Sequence, residues 1–232
     1  MSSFGCENCP FKTARIGGKG PFDSPFVIVG ESPGAQELAK GKPFVGPSGK
    51  MLDDVLAEAG FADLGIEPYV TNALSCYPVD KDIPKMQHAT ACCQSRLKAE
   101  LEAHPRDVIL CLGASAAWSV TGDYNLKITR DRGKVFKSPL ARRGVVLAVH
   151  PAYLMRVGGG LPFWKKDLKS AVDLFKGELM TTWIEPTWRV IDDRSSLEWI
   201  VREYTAKPQT RITGDYETTG FNPLFNDVLC LG

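Results

Sequence analysis

Residues 25–53 read PFVIVGESPGAQELAKGKPFVGPSGKMLD. The first six, Pro25 to Gly30, form a short apolar run with β-branched residues, the pattern of a strand buried on both faces. Directly after it, Pro33 and Gly34 force a turn. Gly41, Gly46 and Gly49 then let the backbone come close to a ligand. From Lys50 to Ala59, Met51, Leu52, Val55 and Leu56 recur at helical spacing. A buried strand, a Gly/Pro-rich exit and a helix make one unit of a parallel α/β sheet.

The same alternation continues along the chain. Tyr69 to Leu74 reads as a second strand, and Gln87 to Ala103 as a helix with Leu97 and Leu101 on one face. Asp107 to Leu112 is a third strand followed by a short helix over Ala114 to Val120. Val145 to Val149 is a fourth strand, and Pro162 to Phe175 a closing helix. The expected fold class is therefore α/β, a mostly parallel four-stranded sheet with helices on both faces. Such sheets bind ligands beyond the carboxyl ends of their strands. Glu31, Asn72 and His150 each stand at such an end. After Lys176 the pattern changes: residues 178–187 read as a linker between a domain over 1–177 and a truncated second domain over 188–232. In that tail, Trp188 to Ile191 and Arg211 to Tyr216 read as strands and Ser195 to Tyr204 as a helix.

With 28 Lys+Arg against 27 Asp+Glu, the 232-residue chain has a formal net charge of +1. Binding of nucleic acid by bulk electrostatics is excluded, so any such contact is local, at residues such as Arg130, Arg132, Lys134, Arg142, Arg143 and Arg156. No apolar run approaches the roughly 18 residues that span a bilayer, and the N-terminus lacks a signal-peptide core. A cytoplasmic monomer with no membrane partner is expected. Seven cysteines, an odd number, argue against a disulfide framework. Cys6 and Cys9 form a CxxC; Cys76 follows the second strand, and Cys92 and Cys93 lie early in the next helix. Four converging thiolates suit either tetrahedral zinc or an iron–sulfur cluster, and spacing does not choose between them. Cys111 and Cys230 sit inside apolar strands and read as core thiols.

The strand-end residues offer an aromatic ring at Phe44, an amide at Asn72, an imidazole at His150 and a carboxylate at Glu31. That set suits a planar heterocycle, stacked on Phe44 and read along its edge by Asn72. No P-loop, GxGxxG or Ser/His/Asp arrangement accompanies it. Six ordered segments, namely CxxC, GESPGAQELAKGKPFVGPSGKMLD, VTNALSC, the Cys92-Cys93 helix, ILCLGASA and HPAYLMR, resemble the family 4, iron–sulfur type of uracil-DNA glycosylase from Cys6 to about Phe175.

The resemblance implies an enzyme that flips uracil out of DNA and hydrolyses its N-glycosidic bond. It implies Glu31 and His150 as catalytic residues and Gly30, Glu37, Phe44 and Asn72 as substrate-binding ones. It implies a 4Fe–4S cluster, in preference to zinc, on Cys6, Cys9, Cys76 and Cys93, with Cys92 the alternative to Cys93. The tail motif ITGDYETTGFNP resembles the start of a DEDD-type, ribonuclease H-like 3′–5′ exonuclease, as in family A DNA polymerases. There Asp215 and Glu217 would bind Mg2+ within a longer chain, so the remainder of a phage-type DNA polymerase is an expected partner. The competing reading is a non-catalytic uracil-sensing or DNA-binding module attached to such a polymerase.

Overall fold

A computed structural model describes residues 5–80 and 82–178, and beyond them 198, 202, 216–218 and 228–231. Contacts divide the chain into two units, Met1–Trp183 and Ile184–Gly232.

The first unit is built on β1 (Phe26–Gly30), β2 (Tyr69–Asn72), β3 (Val108–Leu112), β4 (Val135–Ser138) and β5 (Ala141–Ala148). They form one sheet in the order β2-β1-β3-β5-β4. The β1–β2, β1–β3 and β3–β5 pairs are parallel, and β4 runs antiparallel to β5. The sequence reading leads to four strands, and the fifth is β4. Its VFKS is short and only half-buried, and Arg142 and Arg143 interrupt the apolar pattern at the start of β5. Neither segment therefore carries a strand signal of its own.

Helices α1 (Ala35–Lys40), α2 (Pro47–Glu58), α3 (Ile83–Glu102), α4 (Ala114–Thr121), α5 (Ile128–Asp131), α6 (Pro151–Val157) and α7 (Leu161–Lys176) fill the connections. Side chains alternate across the strands, so consecutive residues enter different cores. Phe26, Ile28, Leu110 and Val146 pack with Leu52 and Leu56 of α2 and Trp164, Leu168 and Val172 of α7. Val27, Val29, Ile109, Cys111 and Leu147 pack with Leu97 and Leu101 of α3 and Ala117 and Val120 of α4. Both faces of the central strands are thus removed from water, which is why their sequence is continuously apolar. Cys111 is fully buried, and burial pushes its thiol far above the ordinary value.

The chain order reverses between β1 and β3: the first crossover leads outward to β2, and the next returns past β1 to β3. This opens a crevice at the carboxyl ends of the two central strands.

In the second unit, β6 (Tyr216–Thr218) pairs antiparallel with β7 (Val228–Leu231), setting Glu217 opposite Cys230. Glu198 and Arg202 are helical, within the stretch read as a helix. Asp215, the expected strand at 188–191 and most of the linker lie outside the described residues.

Candidate active site

A cavity of about 380 Å³ occupies the crevice, lined among others by Glu31, Phe44, Asn72, Gly113 and His150. Each reaches it from a different loop or strand end, so the sheet topology assembles what the sequence keeps far apart.

Asn72 is the last residue of β2, in register with Gly30 of β1. Its side chain is almost wholly buried, and Oδ1 has no hydrogen-bond partner within the protein. A buried acceptor left unpaired costs about 1–3 kcal/mol, so such an atom calls for a partner from outside. Gly30 makes the arrangement sterically feasible. A Cβ there would collide with Asn72 Oδ1 and lie 2.6 Å from Phe44 Cε2.

Phe44 is the one non-glycine residue with positive φ among those described, at 51°. Left-handed backbone costs an L-residue roughly 1–2 kcal/mol, so the surroundings must impose it. Lys19 Nζ donates to the Phe44 carbonyl at 3.2 Å, and the Phe44 backbone lies where a side chain at Gly49 would be, 3.0 Å from Cα. The ring is buried, with its centroid 5.8 Å from that of His150 and the two planes tilted by 33°. One aromatic face thus bounds the cavity next to the imidazole.

His150 is the N-cap of α6, with Pro151 at the first helical position. The Ala152 N–H donates to His150 Nδ1 at 3.2 Å. A neutral ring whose Nδ1 accepts carries its proton on Nε2, so Nε2–H is the donor. Glu31 follows β1, half-buried, and packs where a side chain at Gly113 would stand, with Cδ 2.5 Å from that Cβ position. Gly113 itself has φ of 97°, so two separate constraints hold that position to glycine. Glu37 also lines the cavity, and its carboxylate accepts the Gly34 N–H at 2.8 Å, closing the amino end of α1.

The family model described as the uracil DNA glycosylase superfamily matches residues 18–172. The chain belongs to the uracil DNA glycosylase superfamily. It is 34% identical over 154 residues to the type-4 uracil-DNA glycosylase of Thermotoga maritima, covering 65% of this chain and 78% of that one. It is 35% identical over 160 residues to the type-4 uracil-DNA glycosylase of Archaeoglobus fulgidus, covering 67% and 79%. A DNA polymerase of Bacillus phage SP01 is 25% identical over 232 residues, covering 94% of this chain but 23% of the polymerase.

The superfamily core leaves the cysteines to be placed. Cys6 opens a short 3-10 turn, Cys9 follows that turn, Cys76 lies beyond β2, and Cys92 and Cys93 belong to α3. The N-terminal segment is tied to the β2 exit by an Arg15–Cys76 bridge and by the Ile16 N–H donating to the Ser75 carbonyl at 2.8 Å. Burial, and then the neighbouring thiols Cys93, Cys92 and Cys76, push the Cys9 thiol up. Burial and then Cys93 do the same to Cys76. Cys92 packs with Cys9, Cys76, Phe11, Leu74 and Ala89 in a small apolar cluster. Among the described residues, no three His, Cys, Asp or Glu side chains converge closely enough to hold an ion as they stand.

Of the basic residues expected to meet phosphate, Arg130 and Lys134 pair with Asp131, Arg132 with Asp167 at 2.8 Å and Arg142 with Asp107 at 3.6 Å. Arg143 donates to the Leu174 carbonyl and lies over Phe175, whereas Arg156 lines the cavity. Sequence reasoning missed Ser48 and Thr129, which also line the cavity: Ser48 is an ordinary turn residue between Pro47 and Gly49, and the segment of Thr129 carries no distinguishing pattern.

Proposed function

We propose that this chain is a uracil-DNA glycosylase, which extrudes uracil from DNA and hydrolyses the bond between uracil N1 and the deoxyribose C1′. The observation that carries the reading is the buried carboxamide of Asn72, whose Oδ1 has no internal partner beside the Phe44 and His150 rings. A base must leave the helix stack for chemistry at its glycosidic bond, and the flipped base is recognised along its Watson–Crick edge. Uracil stacks on Phe44, donates N3–H to Asn72 Oδ1 and accepts from Asn72 Nδ2 at O4. Cytosine carries no proton on N3 and an amino group at position 4. It therefore leaves buried groups unpaired, a penalty large enough to reject it.

When the C1′–N1 bond breaks, its electron pair leaves with uracil and positive charge builds on the sugar. His150 Nε2–H donates to uracil O2 as that anion forms. One such donor in a dry site contributes about 3 kcal/mol. Glu31 faces the cationic sugar, and a water oxygen then bonds to C1′ and loses a proton, which neutralises the uracil anion, leaving an abasic site and free uracil.

Cys6, Cys9, Cys76 and Cys93 would hold a 4Fe–4S cluster. What supports this reading is the chemistry of the donors, four thiols from three segments that make the all-sulfur set such clusters take. The cluster would serve as a cross-link between the N-terminal turn, the β2 exit and α3. The similarity to the phage polymerase supports a wider reading for the tail. Residues 178–187 would be the linker, and 188–232 the start of an exonuclease-like domain with Asp215 and Glu217 as Mg2+ ligands in a longer chain.

The test is release of uracil from a single-stranded oligonucleotide, read by alkaline cleavage under single-turnover conditions. Asn72→Ala and His150→Ala should each slow it by about 100-fold or more while binding of the DNA persists. Cluster-loaded protein that leaves no abasic sites would return the chain to the reading of a DNA-binding module.

A further inference from the structure

Asn72 ends an edge strand, and edge strands expose a row of unpaired backbone groups. Along the outer side of β2 these groups find two different partners. Val70 exchanges both its backbone hydrogen bonds with Lys19, each at 2.9 Å. Two residues on, the carbonyls of Asn72 and Ala73 both accept from Arg96 Nη2 of α3, at 2.6 and 2.8 Å. Arg96 Nη1 is paired with Glu100 one helical turn later. Glu100 in turn accepts from the Tyr69 hydroxyl at 2.8 Å, and burial, with Glu100 adding to it, keeps that hydroxyl protonated. Tyr69 is the first residue of β2 and Asn72 the last. One side-chain network on α3 therefore grips both ends of the strand whose final residue faces the cavity.

Arg96 keeps both carbonyls and Glu100 paired although its own Nε is buried without a partner. The guanidinium does what an apolar group cannot, fixing two successive carbonyls with one nitrogen and so fixing the peptide plane that joins them. That plane sets the direction in which the Asn72 side chain leaves the backbone. A carboxamide discriminates by donor and acceptor direction, so a small rotation spoils it.

We propose that Arg96 is a positioning residue for uracil recognition, acting through the Asn72 and Ala73 carbonyls and anchored by Glu100 and Tyr69. The proposal rests on the reading of Asn72 as the group that reads the uracil edge. It extends the site to a residue on a helix that does not line the cavity.

The test uses the full chain and compares wild type with Arg96→Met, Arg96→Lys, Glu100→Gln and Asn72→Ala. Three quantities are measured: single-turnover uracil release, inhibition by free uracil, and affinity for an oligonucleotide bearing an abasic-site analogue. Arg96→Met should slow release by about 10-fold or more and weaken free-uracil inhibition by a similar factor, with affinity for abasic DNA within about twofold of wild type. Arg96→Lys, which keeps the charge and one donor, should recover part of both losses. Glu100→Gln keeps the contact to Tyr69 while weakening the anchor of Arg96. It should reproduce the pattern at several-fold size, and it decides the matter if Arg96→Met does not fold. A purely structural role would lower release and abasic-DNA affinity together, in proportion to the folded fraction, with free-uracil inhibition unchanged. That result would overturn the proposal. If Asn72→Ala is crippled while the Arg96 and Glu100 variants match wild type, Arg96 has no such role. If Asn72→Ala itself matches wild type, the reading of Asn72 is lost, and the role of Arg96 with it.

Discussion

Gly30 and Asn72 face each other across the β1–β2 register, and the glycine has no room for a single added methyl. Gly30→Ala should therefore reduce uracil release by about 10-fold or more, because the methyl must push aside Asn72 Oδ1 or the Phe44 ring. Release rates beside a thermal melt check this, and an alanine variant with wild-type rates would mean that the carboxamide is not held where it matters. The cysteine doublet is tested at the same scale. Both thiols push the Cys9 thiol up, and Cys93 also pushes up that of Cys76, while Cys92 packs in the apolar cluster with Cys9, Cys76, Phe11, Leu74 and Ala89. Cys93→Ser should abolish the visible absorption of a bound cluster, and Cys92→Ser should retain it. Phe44, Asn72 and His150 were legible in the sequence because each is out of place locally: a ring among Pro and Gly, an amide ending a strand, a histidine before proline. Arg96 was not legible, because an arginine on a helix is ordinary until its carbonyl partners, 23 and 24 residues away, are known.

Between elements, the wall of the cavity formed by α5 is fixed by charge. Arg132, which caps α5, makes a two-pronged contact with Asp167 of α7 at 2.8 and 2.9 Å, and its guanidinium lies 5.2 Å over the Phe163 ring. Burial raises the Asp167 carboxyl from 3.8 to about 6, with Arg132 opposing the rise. The folded chain then holds a proton that the unfolded chain has released between those two values. Stability should fall as pH rises through that window and level off above about 6. Asp167→Asn should remove this falling limb, which denaturant titrations at several pH values would reveal. At neutral pH the neutral amide takes the place of a carboxyl that the fold prefers protonated, so the melting temperature is expected not to fall below that of the wild type. The strands that carry the site were predictable because burial on both faces demands an apolar run. The α5 segment and β4 were not, being short elements held by ion pairs and by a neighbouring strand.

At the largest scale, near-zero net charge is accompanied by carboxylate partners for Arg130, Arg132, Lys134 and Arg142, four of the six basic residues expected to meet phosphate. Binding of single-stranded DNA should then depend only weakly on salt, with a log–log slope of magnitude below about 3, as expected when few phosphates are neutralised. Arg156→Ala should reduce that slope further by up to about 0.7. A steep slope would mean that the ion pairs open to bind DNA. By itself, the sequence determined the α/β class, the strand ends that matter and the residue types gathered there, because periodicity and loop composition are local properties written in neighbouring residues. Tertiary structure alone decided that Asn72 Oδ1 lacks an internal partner, that Gly30 and Gly113 make room for their neighbours, and that Arg96 grips the strand end. Those facts depend on which segments the crossovers bring together, and contacts between distant parts of a chain leave no periodic trace in its sequence.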